Sequence, residues 1–247
     1  MKKRKTKKGT RIRRAFFLIL FFFLILGYIF FLSPLFNIKS IAVTGNKEIK
    51  ESQVQESIKT KNIFLATNNK IEKQIREKLF KVYDISIEKD LIKRTIRINI
   101  KEREREAIVC HIEKEDQDCF YIDQKGIIFE EAPQTSGSLI ILIEDYSEKE
   151  FNLGEKTYKE ETIESIIKIK EYLSKEIGLK TQKFEKIETS TLKALTSEGW
   201  YVMFNLEKDI LKQLLSLKAA LETKISDQER ESLEYIDLRI ENRIYYK

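Results

Sequence analysis

The rhythm of apolar and polar positions changes several times along this chain of 247 residues. Residues 15–32 (AFFLILFFFLILGYIFFL) carry no charge, and fifteen of these eighteen are Phe, Leu or Ile. A helix rises about 1.5 Å per residue, so the run spans roughly 27 Å, close to the hydrocarbon thickness of a bilayer. Each such side chain favours insertion by roughly 0.3–0.6 kcal/mol near the bilayer centre. The pattern predicts one membrane-spanning helix over 15–32, since no later stretch approaches that length of apolar residues. A cleaved signal peptide has a similar charged start and apolar core. Its apolar region is usually shorter, however, and Phe30-Phe31-Leu32-Ser33-Pro34 offers no pair of small residues spaced for cleavage.

Beyond Ser33 the periods shorten. Residues 36–45 read as a strand through Ile41 and Val43, ended by Gly45-Asn46. Residues 50–59 have helical spacing through Val54 and Ile58. A second helix starts near Asn68 or Asn69, either a suitable cap, with Ile71, Ile75 and Leu79 on its apolar side. Residues 82–89 form a strand with Tyr83, Ile85 and Ile87 on one face, and 90–93 turn the chain. Residues 95–105 alternate, with Ile96, Ile98 and Ile100 inward and Arg97, Asn99 and Lys101 outward. Strand, helix, helix, strand, strand makes a complete small α/β domain: two helices on a three-stranded sheet.

From Ala107 a second sheet begins. Strands are expected at 107–112, 119–123, 126–130, 139–143, 183–188, 192–196 and 200–205. One helix is expected at 159–177, its stripe Ile163, Ile166, Ile167, Leu173 and Ile177. Another is expected at 208–224, through Ile210, Leu214, Leu217 and Leu221. The latter stripe lasts too briefly for a coiled coil, so a helix packed on a sheet is the better reading. The chain closes with YIDLR (235–239) and NRIYYK (242–247). The fold class is α+β: a basic tail (1–14), a transmembrane helix (15–32), a small α/β domain (33–105), and a mixed sheet domain with two helices (106–247).

Charge changes this picture in one respect. Residues 1–14 hold nine Lys and Arg and no acid, so the positive-inside rule keeps them in the cytoplasm and sends everything from Ser33 across the membrane. The net charge of +6 would suggest a nucleic-acid partner. Without the nine tail cations, 37 Lys and Arg stand against 40 Asp and Glu, a balance of −3. The basicity is thus a topology signal, and the tail's natural contact is anionic lipid.

The two cysteines fall in a predicted hairpin, AIVCHI and CFYID around a polar EKEDQD. With a turn at 113–116, residues whose numbers sum to 229 face each other, and Cys110 meets Cys119. An exported hairpin permits a disulfide there. Directly opposed strand positions often strain such a bond, so two reduced, buried thiols stand as the alternative.

Catalytic signatures are missing. His111 is the single histidine and reads as a hairpin surface residue; strand alternation points it away from Cys110 and argues against a Cys–His dyad. There is no metal-ligand cluster, nucleophile elbow or phosphate loop, and no cofactor is expected. Ser86/Lys89, Ser165/Lys168 and Ser190/Lys193 match Ser-x-x-Lys without the partner motifs a penicillin-binding enzyme needs. The run Glu102 to Glu106 (ERERE) continues the strand, acids on one face and arginines on the other. It reads as a solvated strand end, with an interdomain clamp or partner contact as the sharper alternatives.

Taken in order behind the anchor, these segments resemble the bacterial FtsQ/DivIB cell-division family. FNIKSIAVTGN (36–46) is similar to the first strand of that family's POTRA domain, NIF (62–64) to its helix link, and 82–106 to its closing hairpin with the Glu102-Arg103 pair. YIDQKG (121–126), Gly199-Trp200 and YIDLR (235–239) resemble landmarks of its β domain. Ile92 and Glu106 stand where many relatives have proline, and Ile240 where some have an aromatic residue. The resemblance implies a non-enzymatic scaffold of the septal division machinery, a single-pass cytoplasmic-membrane protein. It would recruit FtsB/DivIC-like and FtsL-like proteins and other divisome components, and control septal peptidoglycan synthesis. The expected means is strand addition on an edge formed by 235–247. Ile236, Leu238, Ile240, Ile244 and Tyr246 would lie on one face of that edge, and Tyr235, Asp237, Arg239 and Glu241 on the other. Asn242 lies within this edge; Trp200, the single tryptophan beside it, reads first as core packing and second as a further interface candidate. Arg239 would pair with a partner acid. Competing readings are a POTRA-containing envelope assembly or secretion factor, and an anchored cell-wall enzyme.

Overall fold

In a computed structural model, residues 7–112, 117–135, 140–147, 149–188 and 190–247 are described. The chain divides into two compact units, Met1–Glu102 and Arg103–Lys247.

The first unit opens with helix α1, Lys7–Leu32. Its part from Arg13 to Leu32 is long and apolar enough to cross a membrane, and its side chains there make no core of their own. Ser33 caps a short 3₁₀ turn, Pro34–Phe36, by accepting from the Leu35 N–H. Then come β1 (Ser40–Thr44), α2 (Glu51–Ser57), α3 (Asn68–Arg76), β2 (Val82–Asp90) and β3 (Thr95–Glu102), the β-α-α-β-β order the sequence predicts. The sheet order is β1-β3-β2, with β1 parallel and β2 antiparallel to β3. Ile96, Ile98 and Ile100 are buried with Val54, Ile63, Ile71 and Ile75. Full burial of each such side chain is worth roughly 1.5–3 kcal/mol.

Three details depart from expectation. Thr67, not Asn68 or Asn69, caps α3, accepting from the Lys70 N–H at 3.3 Å. A bulge between Val82 and Asp84 inserts a residue into β2, so Val82, rather than Tyr83, joins Ile85 and Ile87 on the core side. β3 ends at Glu102, so the 103–106 stretch is not a strand and has no alternating faces. Gly45 ends β1 with φ +79°; a Cβ there would collide with the Asn99 side chain and the Ile100 carbonyl.

The second unit is one nine-stranded mixed sheet. Its strands are β4 (Ala107–Ile112), β5 (Gln117–Ile122), β6 (Ile128–Glu131), β7 (Ile141–Asp145), β8 (Thr181–Lys186), β9 (Thr191–Thr196), β10 (Tyr201–Asn205), β11 (Tyr235–Asp237) and β12 (Tyr245–Tyr246). The order across the sheet is β12-β11-β10-β9-β8-β7-β4-β5-β6. Helices α4 (Glu160–Tyr172) and α5 (Ile210–Thr223) contribute Ile163, Ile166, Ile169, Leu214 and Leu217 to its core. Within α4 the buried row is Ile163, Ile166 and Ile169, with Ile167 only partly buried at its margin; past Tyr172 a π turn over Leu173–Ile177 changes the phase, and Ile177 is partly buried. A third, short helix α6 (Asp227–Glu231) opens with a capping box between Ser226 and Glu229.

In the β4–β5 hairpin Cys110 pairs with Cys119 and the two sulfurs are bonded; its turn, 113–116, lies outside the described residues. Residues 1–6 of the tail, residue 139 of an expected strand, and residue 189 lie outside them too.

Candidate partner-binding edge

A nine-stranded open sheet has two edges. At one, β6 is partly covered. The Ile128 N–H donates to the Glu155 carbonyl at 2.9 Å, and the Gly154 N–H to the Ile128 carbonyl at 2.8 Å. At the other, β12 has β11 on one side and, among the described residues, nothing on the other.

The residues explain how that edge is made. Segment 235–247 is not one strand: β11 and β12 form an antiparallel hairpin, with Ile236 opposite Tyr246 and Asp237 opposite Tyr245. Asn242 turns the chain at φ +58°, a left-handed conformation that asparagine tolerates better than most residues. The Arg243 N–H closes the turn onto the Ile240 carbonyl at 3.2 Å. Tyr235 and Lys247 exchange both backbone bonds at 3.2 Å. In an antiparallel ladder the next residue then points its N–H and C=O away from the partner. Tyr246 therefore presents both groups at the open side.

The predicted residues divide sharply by burial. Ile236 and Leu238 are buried in the core, and Trp200 is 1% exposed. None of these three is available to a partner in this state: Trp200 packs in the core, its first reading, while Ile236 and Leu238 correct the expectation of one accessible face. Ile244 is partly buried against the same core. Ile240, Tyr245 and Tyr246 are 49%, 45% and 43% exposed and form the accessible apolar surface. Trp200 acts through its indole N–H, which donates to Glu198 at 3.0 Å. The same carboxylate takes two bonds from Arg230, both 2.7 Å, and so ties α6 to the start of β10. Arg230, helped by the indole, holds the Glu198 carboxyl below the usual glutamate range.

Arg239 already has an acid. It donates to Asp237 through Nε at 2.9 Å and through its terminal nitrogen at 2.7 Å, and its backbone N–H adds a third bond at 3.0 Å. The guanidinium depresses the Asp237 carboxyl. Asp237 and Arg239 stand two apart, a spacing that on a strand puts both on one face, and that signal was legible in YIDLR. Lys208, which no motif or period in the sequence marks, donates to the Arg239 carbonyl at 3.1 Å. Beside the turn lies a cleft of about 210 Å³ between the start of α5 and residues 238–243, with Lys208, Lys212 and Arg243 on its walls together with Asp209 and Glu241.

Elsewhere the candidate chemistry dissolves into structure. His111 lies 2.9 Å from the Ser147 carbonyl and packs on Phe151. Ser86 and Lys89 lie within β2, and Ser165 in mid-α4, where its hydroxyl donates to the Glu161 carbonyl. Among the described residues no cluster of His, Cys, Asp and Glu could hold a metal. The charged run that begins on the last residue of β3 is split: Glu102 accepts from the N–H groups of Lys47, Glu48 and Ile49, while Arg103 pairs with Asp123 and Arg105 with Glu130.

Comparison with known proteins matches this architecture. The family model of the POTRA domain, FtsQ-type, covers residues 36–103. The chain is 27% identical over 136 residues to cell division protein DivIB of Clostridium tetani, covering 54% of this chain and 49% of that protein. It is 32% identical over 124 residues to DivIB of Clostridium acetobutylicum, covering 49% and 47%. With DivIB of Clostridium botulinum (strain Hall) it is 29% identical over 150 residues, covering 60% and 57%. The chain spans about half the length of the curated relatives it matches.

Proposed function

Because the chain belongs to the FtsQ/DivIB family of cell-division proteins, we propose that it is a non-enzymatic divisome scaffold that binds its partners by strand addition on β12. α1 anchors it in the cytoplasmic membrane with the basic tail inside, and both folded units lie outside at the division septum. The partners are FtsB/DivIC-like and FtsL-like proteins, and through them the chain controls septal peptidoglycan synthesis.

The observation that carries this reading is the open β12 edge. Tyr246 offers an outward donor and acceptor, exposed Tyr245 and Ile240 give apolar contact, and the neighbouring cleft mixes Lys208, Lys212 and Arg243 with Asp209 and Glu241. An extended partner strand with apolar side chains toward Tyr245 and Ile240 complements that surface. Arg239 contributes through the donors that Asp237 leaves uncommitted, its side chain being 39% exposed.

Tyr246→Pro is the sharpest test. Proline removes the outward N–H but no inward ladder bond, since Tyr246 makes none to β11. The full chain should co-purify with its FtsB/DivIC-like and FtsL-like partners from native membranes, and the variant should lose them with Trp200 fluorescence unchanged. A Tyr246→Pro chain that still captures both would refute strand addition here. A fluorescent fusion should band at mid-cell, and depletion should give filaments.

A further inference from the structure

We propose that the end of the first unit nearest α1 is a lipid-docking face, whose exposed apolar tips enter the bilayer interface while surrounding lysines hold anionic headgroups. The inference rests on reading α1 as a membrane span.

Three connections meet at this end: 33–39 before β1, 58–66 between α2 and α3, and 91–94 between β2 and β3. The first two are joined by the Ile38 N–H to the Lys61 carbonyl at 2.7 Å and the Ile63 N–H to the Phe36 carbonyl at 2.9 Å. The Lys39 N–H reaches the Arg94 carbonyl at 2.9 Å, and the Arg94 side chain donates to the Leu35 carbonyl. The group is fastened to the last turn of α1. The Asn62 amide donates to the carbonyls of Phe30 at 2.8 Å and Phe31 at 3.3 Å, and the rings of Phe30, Phe36 and Phe64 cluster with centroids 5.0–5.4 Å apart.

What this end exposes is unlike an ordinary soluble surface. Ile92 is 95% exposed at the tip of its turn, and Leu35, Leu91, Leu65 and Phe64 are exposed around it. Lys39, Lys59, Lys61 and Lys93 are exposed among them. The three connections contain no acid, and Asp90, just before the last, spends its carboxylate on the N–H groups of Ile92 and Lys93. Apolar tips ringed by lysines without acids are the composition of a surface that lies in the membrane interface. The patch runs straight into the exposed apolar residues of α1, which places it at headgroup depth and favours lipid over a protein partner. Docking there would add a second hold on the bilayer beside α1 and so fix the orientation of this unit on the membrane.

The test uses the full chain with Ile92→Cys, reconstituted in vesicles and labelled with an environment-sensitive fluorophore; Cys110 and Cys119 are bonded to each other, so the label goes to position 92. Lys47→Cys, in the exposed β1–α2 loop at the Glu102 end of the sheet, is the control. In vesicles of equal phosphatidylglycerol and phosphatidylcholine, brominated acyl chains should quench position 92 several-fold more than position 47. Adding Leu91→Asp and Lys93→Glu should bring the two level. Flotation with the vesicles checks insertion of α1 separately, so a chain that fails to float refutes the span and not the docking. Equal quenching at 92 and 47 in a floating chain would overturn the proposal. Equal quenching at 92 in pure phosphatidylcholine would overturn the role of anionic headgroups.

Discussion

Glu102 and Arg103 are neighbours that serve different structures. Three backbone N–H groups, of Lys47, Glu48 and Ile49, converge on the Glu102 carboxylate at 2.6–2.9 Å and close the loop after β1. Desolvation raises the Glu102 pKa, but those bonds and Lys81 outweigh it, and the net shift is downward. A carboxyl depressed on folding stabilises above its unfolded pKa and loses that contribution as pH falls through the folded value. Hydrogen-exchange protection at 47–49 should therefore be high at neutral pH and fall at pH below the normal glutamate range. Glu102→Ala should remove it at every pH and cost about 1–2 kcal/mol. Arg103 instead pairs with Asp123, which also accepts from the N–H groups of Lys125 at 3.0 Å and Ile127 at 2.9 Å. Gly126 completes that turn at φ +74°, where a Cβ would strike the Tyr158 backbone. The YIDQKG landmark is thus a turn held by one buried aspartate. The bond between Cys110 and Cys119 closes a short loop, and Cys110→Ser with Cys119→Ser should cost about 2–3 kcal/mol in the unfolding of the second unit.

At the scale of elements, the join between α5 and β10 carries the next prediction. The side-chain amide of Gln213 accepts from the Asn205 N–H and donates to the Asn205 carbonyl, both at 2.9 Å, from a nearly buried position. It does for the strand end what a neighbouring strand would do. Gln213→Leu keeps the volume but strands both groups, and should lower the urea stability of the second unit by about 2–4 kcal/mol, read from Trp200 fluorescence. No hydrophobic pattern announces such a residue. The elements that were legible share one property, a regular period: Ile96, Ile98 and Ile100 predict β3 face by face, and Ile210, Leu214 and Leu217 predict α5. Irregularity hid the rest. The extra residue at the Val82 bulge flips the inward parity of β2. Ser226 to Glu229 spelled a capping box, but the helix it opens is too short to show a stripe. At 235–247, alternation continues through the turn in register, so Ile236, Leu238, Ile244 and Tyr246 do share a face although Asn242 folds the strand back on itself. Burial was the quantity the pattern withheld: an apolar residue in a terminal strand reads the same whether it fills the core, as Ile236 does, or faces solvent, as Tyr246 does.

At the scale of the whole molecule, the nine cations of residues 1–14, the apolar helix and the disulfide are parts of one topology argument. The positive-inside rule counts Lys and Arg within roughly 15–20 residues of a span. On the far side of α1 that window holds only Lys39, Lys47 and Lys50. On the proposed orientation, with the tail in the cytoplasm, the β4–β5 hairpin would fold in an oxidising compartment, where its cysteines would pair. Replacing the nine tail cations by serine reverses the local balance, with three lysines now flanking the other end of α1. A fraction of chains should then insert with the tail outside, leaving Cys110 and Cys119 in the reducing cytoplasm. Two readouts should move together. Protease added to spheroplasts should stop digesting that fraction, and the same fraction should expose two titratable thiols when denatured without reductant. Wild-type chains should show neither. A wild-type chain digested from outside that still titrates two thiols would separate the disulfide from topology, and a serine-tailed chain with unchanged digestion would remove the tail as the determinant of orientation.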